Sequence, residues 1–126
     1  MATTREIIAS ALLLIGVIPS RAEVPNEEAA DALRALNSMM FAWKRKGLTY
    51  EHTALTVGAT FPLPERLHDG VVAMLAERLA PEYGVRIADK LKMEAADGRT
   101  MVNAEYWGDY NTVTDVPGSR APQDGL

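Results

Sequence analysis

Few side chains in this sequence could do chemistry. His52 and His68 are its two histidines, and Glu65 and Asp69 stand four apart, where one helix face would hold both carboxylates as an acid pair. Cysteine is absent, which removes thiolate chemistry, disulfides and every Cys-based zinc site. Two histidines without a cysteine or an acid cluster beside them make a poor metal-ligand set, so each reads as a surface or interface side chain. There is no Gly-rich phosphate loop, H-E-x-x-H, G-x-S-x-G or calcium-loop pattern. The expectation is a protein that is not an enzyme, with no catalytic residue, no cofactor and no metal.

Lys44-Arg45-Lys46 is the one basic run, and clustered cations neutralise phosphates. A net charge of −4 argues against general nucleic-acid binding as the main task. The ordinary reading of the run is the cationic end of a helix, which suits the helix dipole.

That helix is the strongest element in the sequence. Asn26 has the form of an N-cap, Glu27 and Glu28 follow it, and Gly47 is placed to close the C-terminus. Ala29, Leu33, Leu36, Met40 and Trp43 recur at steps of three and four as one apolar face, on which the other helices must pack. Phe41 falls about 120° away from that stripe at 100° per residue. It therefore seeks a second packing partner or a neighbouring subunit.

The rest of the chain is laid out around it. Arg5 followed by the apolar run Ile7–Ile18 has the outline of a signal peptide, but Glu6 cancels the positive charge. Thr3-Thr4-Arg5-Glu6 instead reads as a capping box opening a buried helix from about Thr4 to Ile15, closed by Gly16. The apolar run is too short to span a bilayer. Leu48–Leu63 alternates apolar and small residues (Leu55, Val57, Ala59, Phe61, Leu63) and reads as an extended arm or loose hairpin. A third helix opens at Pro64-Glu65, carries Leu67, Val71, Met74, Leu75 and Leu79, and stops at Ala80-Pro81. A fourth runs from about Val85 to Glu105, with Ile87, Leu91, Ala95 and Val102 on one side and Asp97-Gly98 as a potential break.

From Tyr106 the sequence loses its aliphatic bulk and reads as an extended tail that needs a partner surface to dock on. Tyr106, Trp107 and Tyr110 are its natural anchors. With 126 residues the chain supports one hydrophobic core. The expected fold is all-α: a four-helix domain over 1–105, an arm between helices two and three, and a docking tail over 106–126.

In order along the chain, Ala11-Leu12-Leu13-Leu14-Ile15-Gly16-Val17, Ala29–Leu36 leading into Met39-Met40-Phe41-Ala42-Trp43, Gly47-Leu48, and Leu75-Ala76-Glu77-Arg78-Leu79-Ala80-Pro81-Glu82-Tyr83-Gly84 resemble one known pattern. It is that of the head-to-tail adaptor proteins of tailed double-stranded DNA bacteriophages, on the short-tailed-phage branch of tail accessory factors, also called packaged-DNA stabilisation or head-completion connector proteins. The resemblance covers about Ile7 to Val102, and the chain departs from that branch in its short tail.

The resemblance implies a structural virion protein at the head-tail junction, present in the host cytoplasm during assembly. It would bind beneath the dodecameric portal as a homo-oligomeric ring, usually of twelve copies. The ring would extend the DNA channel, help retain packaged DNA without reading its sequence, and give a downstream tail or nozzle protein its attachment surface. No membrane is involved. By position, portal binding would fall to Tyr106, Trp107, Tyr110, Val113 and Val116. Subunit contacts would fall to Phe41, Leu55, Val57 and Phe61, and the DNA channel to Lys44, Arg45 and Lys46. Two alternatives stand beside this reading. One is a small helical interaction module that wraps one partner with its tail; the other, ranked last, is a hydrolase using Glu65, Asp69 or His68.

Overall fold

The computed structural model describes residues 2–20 and 24–113, with side chains given to Trp107. Within these residues the chain is all-α: α1 (Thr4–Leu14), α2 (Asn26–Arg45), α3 (His68–Leu79) and α4 (Asp89–Val113). Short 3-10 turns at Glu65–Leu67 and Ala80–Tyr83 flank α3. No strand forms among the described residues, only an isolated antiparallel bridge between Thr3 and Thr60.

The apolar N-terminal run folds as α1 and opens with the expected capping box. Thr3 Oγ1 accepts from the Glu6 amide at 3.2 Å, and Glu6 Oε1 accepts from the Thr3 amide at 3.0 Å. Ile7, Ile8, Ala11 and Leu12 point into the core, and Gly16, at φ +76°, ends the element in the left-handed region. α2 buries Ala29, Ala32, Leu36, Met40 and Trp43 on one face, as its periodicity predicts. Its cap differs from expectation: Pro25 occupies the N-cap and Asn26 is the first helical residue, with no side-chain cap bond.

The centre of the molecule is α3 rather than α2. Among the described residues α3 packs against α1, α2 and α4, and its pairing with α4 is the most extensive in the molecule. Val71 through Ala76 are all buried, so this short helix is apolar around most of its circumference.

α4 corrects the sequence reading at both ends. Val85–Ala88 is not helical; Val85 and Ile87 are half-buried and Arg86 and Ala88 exposed, an alternation with β-branched residues inward. Helix then runs unbroken from Asp89 through Gly98 to Val113. The segment from Tyr106 to Val113 is therefore helical and continuous with the body, not an extended tail. Tyr106 follows Leu91, Ala95, Gly98 and Val102 on the same buried stripe. Tyr110 and Val113 lie in α4, but their side chains, and Val116 altogether, fall outside the described residues.

Candidate interaction surfaces

The segment linking α2 to α3 is a strap tied down along its length. At one end, Thr49 donates its amide (2.9 Å) and its hydroxyl (2.7 Å) to the Tyr106 carbonyl of α4. In the middle, Asn37 of α2 holds Leu55 by both backbone groups. Its Oδ1 accepts from the Leu55 amide at 2.8 Å, and its Nδ2 donates to the Leu55 carbonyl at 3.1 Å. Further on, the Thr4 amide donates to Ala59 O at 2.8 Å and the Arg5 amide to Val57 O at 3.0 Å. These are first-turn N–H groups of α1, which have no acceptor within their own helix.

This tethering turns the apolar side of the strap inward. Phe61 and Leu63 are buried, and Leu55, Val57 and Ala59 are half-buried, while the residues between them face out. Phe61 was expected at a subunit interface; it is fully buried in its own core and offers no surface to a neighbour. Leu55 and Val57, assigned the same role, lie on the same inward-turned side. The Asn37 clamp left one faint mark in the sequence, an asparagine in mid-helix, where its propensity is poor.

Between the Thr49 and Asn37 ties lies a cluster of rings. His52 Nε2 lies 2.8 Å from Asn37 Oδ1, which can only accept, so this nitrogen carries the proton. Nδ1 is then the acceptor facing the Tyr50 hydroxyl at 3.4 Å. Phe41 meets His52 edge-on at 4.6 Å, and Tyr50 packs against Trp43 at 5.8 Å and Tyr106 at 5.1 Å. Burial pushes the His52 pKa below its ordinary value. Burial, and then the neighbouring Tyr106, push the Tyr50 phenol up; burial and Glu105 do the same to Tyr106, against a smaller opposing effect of Arg66.

The other residues marked for chemistry are dispersed. His68 donates from Nε2 to the Leu63 carbonyl at 2.8 Å and meets Phe61 edge-on, so it pins the end of the strap. Glu65 sits in the 3-10 turn and Asp69 in the first turn of α3, and no hydrogen bond joins them among the described residues. No group of three metal-ligating side chains converges among the described residues. In the basic run, Lys44 pairs with Glu51, whereas Arg45 and Lys46 are exposed. Of the expected portal anchors, Tyr106 is half-buried against Tyr50, and the Trp107 ring covers Gly47.

Among the described residues the exposed large apolar side chains are Leu13, Leu14, Phe41, Met93, Met101 and Trp107. Phe41, 46% exposed, stands on the outer face of α2. A groove of about 650 Å³ lies between α1, α3 and α4, with Leu13, Leu14 and Met101 at its walls and Asp69, Glu94 and Asp97 around it. The crossing glycines Gly70 and Gly98 also line it and contribute no side chain to fill it. No family model and no curated protein matches the chain. Among the described residues no helix is long and apolar enough to cross a membrane.

Proposed function

We propose that this chain is a structural subunit of a phage head-to-tail junction: an adaptor that joins a ring beneath the portal and extends the DNA channel. In that role it helps retain packaged DNA and offers a downstream tail or nozzle protein its attachment surface. The observation that carries the reading is that exposed apolar residues stand on unlike faces: Phe41 on α2, Leu13, Leu14 and Met101 across α1 and α4, and Met93 and Trp107 on α4 outside that groove. A subunit in a closed ring needs two unlike surfaces, because each neighbour is met through a different one. The ordered sequence resemblance from Ile7 to Val102 supports the same role, as does the all-α body.

The portal-binding element in this proposal is the far end of α4 and the chain beyond it, from Trp107 through Tyr110 and Val113 to Val116. Tyr106 serves instead to fasten α4 to the strap. Lys46 and its neighbours at the end of α2 are the residues proposed to face DNA in the channel. Co-sedimentation with a candidate portal ring tests the role: the full chain should pellet with the portal, and a chain ending at Tyr106 should remain in the supernatant. Equal recovery of the full chain with and without the portal would contradict it.

A further inference from the structure

Two surfaces of this chain are complementary to each other and are formed by different elements. On α2, Arg34, Ser38, Phe41 and Arg45 recur at steps of four, three and four, and all four are exposed. His52 holds the Phe41 ring edge-on, which fixes it as a rigid knob. Arg78 of α3 reaches Ser38 Oγ at 3.5 Å; among the described residues Arg34 pairs with Asp31 at 3.1 Å, while Arg45 and Arg78 form no ion pair. This face is aromatic at its centre and cationic at its edge.

The groove between α1, α3 and α4 has the opposite character. Leu13, Leu14 and Met101 are 37%, 52% and 43% exposed there. Asp69, Glu94 and Asp97 are the charged residues that line it, and none of them takes part in an ion pair among the described residues. No residue of α2 lines the groove, so the aromatic knob and the acidic groove belong to separate faces.

We propose that the Phe41 knob of one copy seats in the Leu13–Leu14–Met101 groove of the next, with Arg45 and Arg34 facing Glu94 and Asp97. The contact is head-to-tail, so each copy keeps one free knob and one free groove until a ring closes. Charge complementarity selects the second copy as occupant: an aromatic flanked by cations matches an apolar floor ringed by carboxylates. The pairing deepens the ring reading and rests on it for closure. It also assigns Arg45 to the subunit contact rather than to the channel.

The absence of cysteine makes a clean test. Ser38→Cys and Met101→Cys are prepared as separate full-length variants; both positions are exposed, and Phe41 and the charges stay in place. Mixed at high concentration, with and without a portal ring, and mildly oxidised, they should give the 38–101 cross-link in preference to either self-pair. Arg45→Glu should weaken self-association about tenfold, and Glu94→Arg added to it should restore most of the loss. Self-pairs alone, or no cross-link in an assembled oligomer or at high concentration, would overturn the pairing. So would a groove that a basic peptide occupies while self-association is unaffected. If rings form on the portal without the 38–101 cross-link, the pairing fails and the adaptor reading stands. If the cross-link forms and the portal is ignored, the pairing stands and the adaptor reading fails.

Discussion

Gly70 of α3 and Gly98 of α4 touch backbone to backbone. A Cβ at Gly70 would lie 2.6 Å from Gly98 Cα, and a Cβ at Gly98 would lie 2.6 Å from the Gly70 carbonyl oxygen. Both contacts are with main chain, which cannot swing aside as a side chain can. The most extensive helix pair in the molecule is built on this crossing, and the acidic groove opens beside it.

Gly→Ala in a helix ordinarily stabilises by close to 1 kcal/mol. At this crossing the sign should reverse: Gly70→Ala or Gly98→Ala should cost about 2 kcal/mol by forcing α3 and α4 apart. Since either alanine already parts the helices, the double variant should cost less than the sum. Gly58→Ala, with open space around its Cβ, is the control and should stay within about 0.5 kcal/mol of the parent. Urea midpoints of the parent and the four variants check this.

Asn37→Ala should release the middle of the strap. It leaves the Leu55 amide and carbonyl without their partners and removes the acceptor of His52, at a cost of about 2–3 kcal/mol. Hydrogen exchange should report faster exchange at the Leu55 amide, with the Thr4 and Arg5 amides, held by Val57 and Ala59, less affected. Uniform loss of protection along the chain would contradict a local clamp.

These two relationships mark where sequence reading ran out. Periodicity made the buried faces legible: the α2 stripe, the Thr3–Glu6 box and the alternation from Leu55 to Leu63 all recur in the fold. Each depends on residues near one another in sequence. Gly98 read as a breaker because its packing partner, Gly70, comes from another helix, and only that contact gives the glycine its role. Tyr106 read as the start of a tail because the composition changes there, although it continues the spacing of Leu91, Ala95 and Val102. The Asn37 clamp was hidden for a related reason: an arm without a partner strand gives no hint of what it is tied to, which is why Phe61 read as a contact to a neighbouring subunit. The dispersed acids of the groove come from two helices and have no spacing signature.

His52 should make stability depend on pH in a narrow window. Its folded pKa lies below the ordinary value of 6.5, so the unfolded chain binds the proton more readily. The stability linked to its neutral form is fully present above that value and is lost as the pH falls toward the lower folded pKa. Between about pH 7.5 and about pH 5.5, the parent should therefore lose more stability than His52→Gln. Identical slopes in urea titrations of the two proteins would rule out this role.

Tyr106 should matter to the body itself. Tyr106→Ala removes the ring that packs on Tyr50 and should cost about 2 kcal/mol, whereas ending the chain at Val113 should leave the melting temperature nearly unchanged. Equal destabilisation by the two changes, read by calorimetry, would mean that residues past Val113 help hold the body together.

Native mass spectrometry of the full chain with a candidate portal ring tests the central claim most directly. A fixed multiple of subunits, twelve on a dodecameric portal, should add to each ring, and a chain ending at Tyr106 should fail to add. A full-length chain that ignores the portal and forms a discrete dimer would contradict it.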